Sequence, residues 1–514
     1  MAESSKRKKS GKNRGKNGAA PRKHLAPVQD PAGVDSVAFV SLGCPKNLVD
    51  SERMLGLLAA DGIGITSDHS SADVIVINTC GFLEASRQEG LSVIHEALET
   101  KEKAARTGRP VRVVVAGCLV QRDKSRLLED APGIDALVGV FDRENIVRAV
   151  RGPANNLRDA DRSMGTFHAV TQMISRHDRS KAGYREQDDA RLRLTPRHYA
   201  YLRVSEGCNQ GCTFCTIPSI RGRMRSKPVE QILREARELI DDGAFELNLI
   251  GQDTTSYGTD IGYDGPGQGL SGMLNALDTL RGAGWLRLMY AYPSCFADDM
   301  IRTIADAPHL VKYIDMPLQH INDDILHAMR RKVTRREIEI LLEKLRRWIP
   351  GMAVRTTLIS GFPGETEAQH RELLAFVKDF EFDCLGVFEY SPEPQTPAGR
   401  LWAECGVANQ VSARRKEELM LAQQDIVRKK NKAMIGRVVD VLVDSVNKTA
   451  RTAVGRHAGQ APEIDGQVFI QGCEASPGEI LQVSIEEFDC YDLTGRMTGV
   501  SRAAPPRVAL PVVG

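Results

Sequence analysis

Between residues 199 and 390, six short runs rich in apolar and β-branched residues recur, and each gap between them is long enough for a helix. They are Tyr199–Val204, Glu246–Ile250, Leu286–Tyr290, Tyr313–Met316, Val354–Ile359 and Leu385–Tyr390. Regular succession of strand and helix leaves few topologies open, because crossovers between parallel strands are almost always right-handed. The pattern predicts a partial (β/α)6 barrel, with functional side chains just past the carboxyl ends of its strands. Those positions carry Gly251-Gln252-Asp253-Thr254-Thr255, Pro317-Leu318-Gln319-His320 and Ser360-Gly361-Phe362-Pro363-Gly364-Glu365. Glycine and polar residues there are also ordinary loop chemistry, and His320 reads as a loop-packing residue.

The flanking sequence has a different texture. Residues 35–150 alternate apolar runs with helical stretches and read as a second parallel α/β unit. Residues 151–195 lack hydrophobic periodicity and read as a linker with room for a short strand or hairpin. The barrel domain is expected over 196–430, and the charged stretch Arg414 to Lys432 reads as a connecting helix. Residues 435–503 alternate in strand fashion between Gly and Pro, as a small β-barrel does. The fold class is therefore α/β with a small β domain at its end, which suits a 514-residue chain too long for one core.

Charge divides sharply. Residues 1–34 carry nine Lys or Arg against Glu3 and Asp30, with no aromatic residue, and such a segment cannot bury enough surface to fold. It reads as a disordered basic tail able to touch RNA. The whole chain carries only +2, so the body is mildly acidic and a poor generic nucleic-acid binder. No apolar run is long enough for a membrane span, no secretory signal is present, and a cytoplasmic location is expected. Eleven cysteines in so long a signal-less chain do not read as a secreted disulfide framework.

Six of those cysteines fall into two sets. Cys208, Cys212 and Cys215 form C-x3-C-x2-C with glycines beside two of them. Three thiolates on one loop suit a face of a 4Fe–4S cluster and leave one iron open. The alternative is zinc, which ordinarily takes C-x2-C pairs and a fourth ligand. Cys44, Cys80 and Cys118 each end a buried-type strand: Val37–Gly43, Val74–Thr79 and Val113–Gly117. Parallel strands bring their carboxyl ends to one sheet edge, where open α/β sheets bind ligands. Convergence there gives a second three-thiolate site; the alternative is three unrelated core cysteines. Cys295, Cys384, Cys405, Cys473 and Cys490 lack ligand spacing and read as structural, with Cys384 an exception because it opens the last barrel strand.

The Cys208–Cys215 segment resembles the fingerprint of the radical SAM superfamily. That resemblance implies an open iron that binds S-adenosylmethionine, with Phe214 near the adenine and Gln252, Asp253, Gln319, Ser360 and Gly361 on cofactor-lining segments. Taken together, residues 35–503 resemble the methylthiotransferases, whose C-terminal part is a TRAM domain. The strings that carry the likeness are Ser41-Leu42-Gly43-Cys44-Pro45-Lys46-Asn47, Val49-Asp50-Ser51-Glu52, Asn78-Thr79-Cys80, Glu206-Gly207-Cys208 and Cys215-Thr216-Ile217-Pro218. The family implies two 4Fe–4S clusters, S-adenosylmethionine and an electron donor such as a flavodoxin or ferredoxin. One branch modifies an aspartate of small-subunit ribosomal protein S twelve, free or in the small subunit, and another a tRNA adenosine. The Leu-Gly-Cys-Pro-Lys-Asn string resembles the ribosomal-protein branch. Residues 436–500 hold ten acidic against five basic residues, which disfavours tRNA and favours a basic protein partner. A tRNA-modifying enzyme and a ribosome-associated binding protein with structural metal are the competing expectations.

Overall fold

The computed structural model describes residues 33–152, 187–263, 265 and 267–503, and the backbone of 171–173. The basic tail and most of the expected linker lie outside the described residues.

The amino-terminal unit is one parallel sheet. Its strands are β1 (Ser36–Ser41), β2 (Gly64–Thr66), β3 (Val74–Thr79), β4 (Arg112–Gly117), β5 (Ala136–Val138) and β6 (Thr171–Met173), ordered β2-β1-β3-β4-β5-β6. Strand alternation sends Ile75, Ile77, Val113 and Val115 to one face, against Ile94 and Ala97 of helix Glu84–Arg106. It sends Val74, Val76, Val114 and Ala116 to the other, against Met54 and Leu58 of helix Pro45–Ala60. Both faces are covered, which explains why β3 reads as an unbroken apolar run.

Two parts of the expected linker belong to this architecture. β6 pairs in parallel with β5, Thr171 opposite Ala136. Residues 187–195 form a strap along helix Pro45–Ala60. The Leu192 N–H donates to the Glu52 carbonyl at 3.1 Å, and Leu194 N–H to the Glu52 carboxylate at 2.9 Å. Arg53 donates to the Asp189 carbonyl at 2.8 Å. Polar sequence without periodicity hid this strap because it is held by backbone and side-chain hydrogen bonds rather than by a buried apolar face.

The middle of the chain is the six-stranded parallel sheet expected. After β7 (Tyr199–Arg203) comes a two-residue ladder of β8 (Ser205–Glu206) and β9 (Arg225–Ser226). Then follow β10 (Glu246–Ile250), β11 (Trp285–Leu288), β12 (Leu310–Asp315), β13 (Ala353–Ser360) and β14 (Cys384–Glu389), ordered β14-β13-β12-β11-β10-β7. Helices cover the outer face, where Leu202, Leu247, Leu249, Leu286, Leu288 and Val354 pack. Capping boxes at Thr334–Glu337 and Thr366–Gln369 set the starts of two of these helices. The inner face carries Tyr199, Tyr201, Ile250, Met289 and Tyr313, joined by Val49 from the first unit and Ala461 from the last.

Helix Asn409–Lys432 leads into a closed barrel of β15 (Val438–Asn447), β16 (Thr452–His457), β17 (Val468–Gln471), β18 (Ile480–Asp489) and β19 (Asp492–Arg502). It docks on the amino ends of the parallel strands. His198 meets Asp444 at 2.8 Å, Arg456 meets Glu246 at 2.8 Å, and the Tyr199 and Tyr313 hydroxyls donate to Glu463 and Asp465, each at 2.8 Å. Cys384 faces this junction too, against Asp465. Three of the ten acidic residues over 436–500, and the basic Arg456, are thus spent on docking. Seven acidic residues against four basic ones remain, so the acidic balance persists in reduced form.

Candidate active site between the amino-terminal sheet and the barrel

The three cysteines of the first unit meet at one sheet edge. Cys44 caps helix Pro45–Ala60, Cys80 follows β3, and Cys118 opens the short helix after β4. A Cβ on Gly43 would lie 2.7 Å from the Cys80 Cβ, so the first two loops touch. Cys118 feels the charge of both Cys44 and Cys80. Gly117 holds φ at +97°, with Thr79 O only 2.6 Å from where a side chain would begin. Only glycine turns the chain there and delivers Cys118 beside its partners.

The sequence strings around these cysteines brace their loops. Asn47 Nδ2 donates to the Leu42 carbonyl at 2.6 Å, and Asn78 Nδ2 to the Asn47 carbonyl at 2.9 Å and Ser51 Oγ at 2.7 Å. Thr79 Oγ1 donates to the Ala116 carbonyl at 2.6 Å.

Cys208, Cys212 and Cys215 lie on the loop after β8. The Cys208 N–H donates to Gly222 O at 3.1 Å, Cys215 N–H to Cys212 O at 3.2 Å, and Thr213 N–H to Met329 O at 3.1 Å. Gly207 holds φ at +81° against the Arg223 backbone, leaving no room for a Cβ. Gln210 Nε2 reaches Asp253 at 2.6 Å and Ser256 at 3.2 Å. Arg331 stacks 4.0 Å above the Tyr292 ring, and both approach Cys212 Sγ, at 3.8 and 3.9 Å.

Burial pushes the Cys118 and Cys215 thiols up to about 12 and Cys208 to about 11. Loading with metal therefore releases protons from both sets. Among the described residues, no three His, Cys, Asp or Glu side chains close on a single ion. Zinc would hold its thiolates about 2.3 Å from one centre, whereas a four-iron cube takes each thiolate at a separate corner. Three thiols in each set match the chemistry of a cube's donor set. Unpaired buried amide oxygens on Gln210 and Gln252 add acceptors without partners beside the same loop.

The two sets look at each other across one interface. Cys118 packs on Ile220, Arg122 pairs with Glu393 at 2.7 Å, and Lys46 lies over Tyr290. Beneath them runs a buried ion network. Asp50 and Arg143 come from the first unit, Asp188 from the strap, and Arg203, Glu206, Arg221, Lys227 and Glu235 from the barrel. Four cations face four carboxylates, which meets the requirement that buried charges be paired.

The remaining sequence-predicted residues divide. Phe214 joins Ile325, Met329, Phe362 and Tyr390 in a small apolar cluster. Gln252 donates to Glu206 at 2.6 Å. Gln319 holds φ at +74° beside β13. The Asp253 carboxylate is taken by Gln210 and Ser256. The Ser360 hydroxyl donates to the Ser412 carbonyl at 2.7 Å, and Gly361 packs on the Ser412 side chain, so these two anchor the long helix. His320 is fully buried beside Glu365, as a packing residue.

The loop after β11 escaped sequence reading. It supplies Tyr290, Tyr292 and Cys295, whose sulfur accepts from Ser256 at 3.5 Å and Gln210 at 3.7 Å. The general position after a strand was the available signal, and three neighbouring loops were read by it.

Three regions of the chain match known families. Residues 36–139 match an uncharacterized protein family, UPF0004; residues 202–377 match the radical SAM superfamily and 435–498 the TRAM domain. The ribosomal protein uS12 methylthiotransferase RimO of Bdellovibrio bacteriovorus is 40% identical over 91% of this chain and 99% of its own. The chain belongs to the RimO family. The RimO of Geobacter sulfurreducens is likewise 40% identical, over 90% of this chain and 98% of its own. Membership makes the chain a radical SAM methylthiotransferase and sets aside the binding-protein expectation. Two 4Fe–4S clusters and S-adenosylmethionine are the cofactors of the RimO family. In fold, the chain is similar to the radical S-adenosylmethionine methyltransferase TsrM of Kitasatospora setae, solved with cobalamin and a 4Fe–4S cluster. That likeness has a TM-score of 0.50 at 16% identity and covers 72% of this chain and 78% of that one. No helix among the described residues is long and apolar enough to cross a membrane.

Proposed function

We propose that the chain places a methylthio group on the β-carbon of an aspartate in small-subunit ribosomal protein uS12. The observation that carries this reading is the pair of three-cysteine sets facing each other across one buried interface. Cys208, Cys212 and Cys215 would hold one 4Fe–4S cluster, and Cys44, Cys80 and Cys118 the auxiliary one. When bound, these clusters and S-adenosylmethionine supply the radical chemistry and the methylated sulfur. The chain's own groups do the rest. Phe214, Gln252 and Gln319 would line the S-adenosylmethionine site, with Asp253, Ser360 and Gly361 fixing the loops that carry them. Arg331 and Tyr292 cover Cys212, and the ion network keeps the two edges together and excludes water. The reading extends to a flavodoxin- or ferredoxin-like electron donor, RNA contact by the basic tail, and action in the cytoplasm. The residual acidity of the C-terminal barrel supports a basic protein substrate over tRNA.

An anaerobic competition tests it. Reconstituted enzyme receives reductant, methyl-labelled S-adenosylmethionine, unmodified uS12 and unmodified tRNA. Label on the aspartate of uS12 is expected, and label on tRNA overturns the choice of substrate.

A further inference from the structure

Lys46 makes no ion pair with the buried network, although it lies beside Cys44. It sits two residues after Cys44 in the first turn of its helix and is only 7% exposed. Its ammonium lies 3.0 Å from the centroid of the Tyr290 ring. Among the described residues it has no hydrogen bond and no ion pair, and its one close partner is the Tyr290 ring. Of the groups whose negative charge it feels, Cys44 comes first and belongs to the first unit's cysteine set, and the two carboxylates, Asp315 and Glu206, are committed elsewhere. Glu206 accepts from Arg203 at 2.6 Å, Arg221 at 2.9 Å and Gln252 at 2.6 Å. Asp315 accepts from Arg355 at 2.7 Å and from the Tyr290 N–H at 3.2 Å. Arg221 adds a second positive charge nearby. An ammonium withdrawn from water with no carboxylate paired to it is costly, and the cost is recovered when a carboxylate arrives.

Its platform is held under strain. Tyr290 has φ at +58°, a conformation that bulky side chains rarely adopt. The Thr254 N–H fixes its carbonyl at 3.1 Å, and Asp315 fixes its amide. Strain of this kind persists where the surroundings overdetermine it, typically at working sites. The Lys46–Tyr290 pair stands between the first unit's cysteine edge and the carboxyl ends of the barrel strands. A substrate carbon that must meet both sites would come close to this pair.

We infer that Lys46, seated on Tyr290, receives the side-chain carboxylate of the substrate aspartate and selects it over the neutral amide. This rests on the uS12 reading. The carboxylate of S-adenosylmethionine has the same chemistry, so the test separates the two.

Binding is measured anaerobically, without reductant, on reconstituted enzyme. The ligands are unmodified uS12, uS12 with its target aspartate changed to asparagine, and S-adenosylmethionine. The wild-type enzyme should bind the aspartate form about 10- to 100-fold more tightly than the asparagine form, the range for hydrogen bonds to charged groups. Lys46→Met should abolish that preference while iron content and S-adenosylmethionine affinity hold. Lys46→Arg, which keeps the charge, should retain part of it. The inference is overturned if Lys46→Met keeps the preference, if S-adenosylmethionine affinity falls instead, or if auxiliary iron is lost, which would make the ammonium a partner of the cluster. Failure of the uS12 reading is distinct: the wild-type enzyme would then label tRNA in the competition.

Discussion

The two cysteine sets hold the same number of thiols and are assembled in opposite ways. Cys208, Cys212 and Cys215 lie within eight residues on one loop, fixed largely by backbone hydrogen bonds. Cys44, Cys80 and Cys118 span 75 residues and meet only because β1, β3 and β4 are parallel neighbours in register. The first set is a local motif that its barrel presents. The second is a product of topology and depends on the sheet, on Asn47, Ser51, Asn78 and Thr79 bracing its loops, and on the ion network behind it. A local site should fail alone, whereas a topological site should fail with its surroundings.

Removal of single ligands gives the largest expected effect. Cys212→Ala should lose the barrel cluster and, with it, S-adenosylmethionine cleavage. Cys80→Ala should keep that cleavage and lose methylthio transfer. Each variant should fall from about eight to about four iron per chain, read by iron assay beside release of 5′-deoxyadenosine. Equal loss of cleavage in both would break the distinction between the sites.

The next effect comes from the glycines. Gly207→Ala strains one turn against the Arg223 backbone and should cost only the barrel iron. Gly117→Ala pushes a methyl group against Thr79 and Asn78 on the neighbouring strand. It should remove the auxiliary iron and also lower the thermal midpoint of the first unit, because φ of +97° and the clash act together. Iron assay with a melting curve checks both. A melting midpoint unchanged in Gly117→Ala would show that the second site is as local as the first.

Arg221→Met sharpens the dependence on surroundings. Arg221 donates to Asp50 at 3.0 Å and to Glu206 at 2.9 Å, joining the first unit to the barrel. Its loss leaves two buried carboxylates short of a partner, a change worth about 3–5 kcal/mol. Denaturant unfolding should show that loss. Limited proteolysis should open the strap at 187–195 before it touches the barrel.

The same contrast explains what was legible in the sequence. The six barrel strands and the C-x3-C-x2-C loop follow from periodicity and spacing, which are local properties. The placing of Cys44, Cys80 and Cys118 at one sheet edge was legible because each cysteine ends an apolar run, and parallel topology does the rest. The strap, the ion network and the Tyr290–Cys295 loop were not. Each is built from polar residues whose partners lie distant in the chain: Asp50 to Arg203 is 153 residues, and Arg122 to Glu393 is 271. The same limit inflated the acidity assigned to the C-terminal barrel. Asp444, Glu463 and Asp465 look like surface charges in the sequence and are docking groups in the fold.

Acid gives the smallest expected effect and the most direct view of the network. Burial alone would raise the Asp50 carboxyl, but Arg203, Arg221 and Arg143 outweigh it and hold the group down at about 2. Arg203, Lys227 and Arg143 hold Asp188 well below the usual range in the same way. A depressed carboxylate stabilises the folded state fully above the unfolded value, near 3.9, and that contribution is lost as pH falls through the folded value. For Asp50 the loss amounts to about 2 kcal/mol between roughly pH 4 and 2. Cluster-free protein followed by proteolysis across that window should therefore become cleavable first at the strap. The Asp50→Asn variant should start less stable and show a shallower pH slope. If both proteins keep the same slope, the network does not join the units, and the topological site would then stand on its sheet alone.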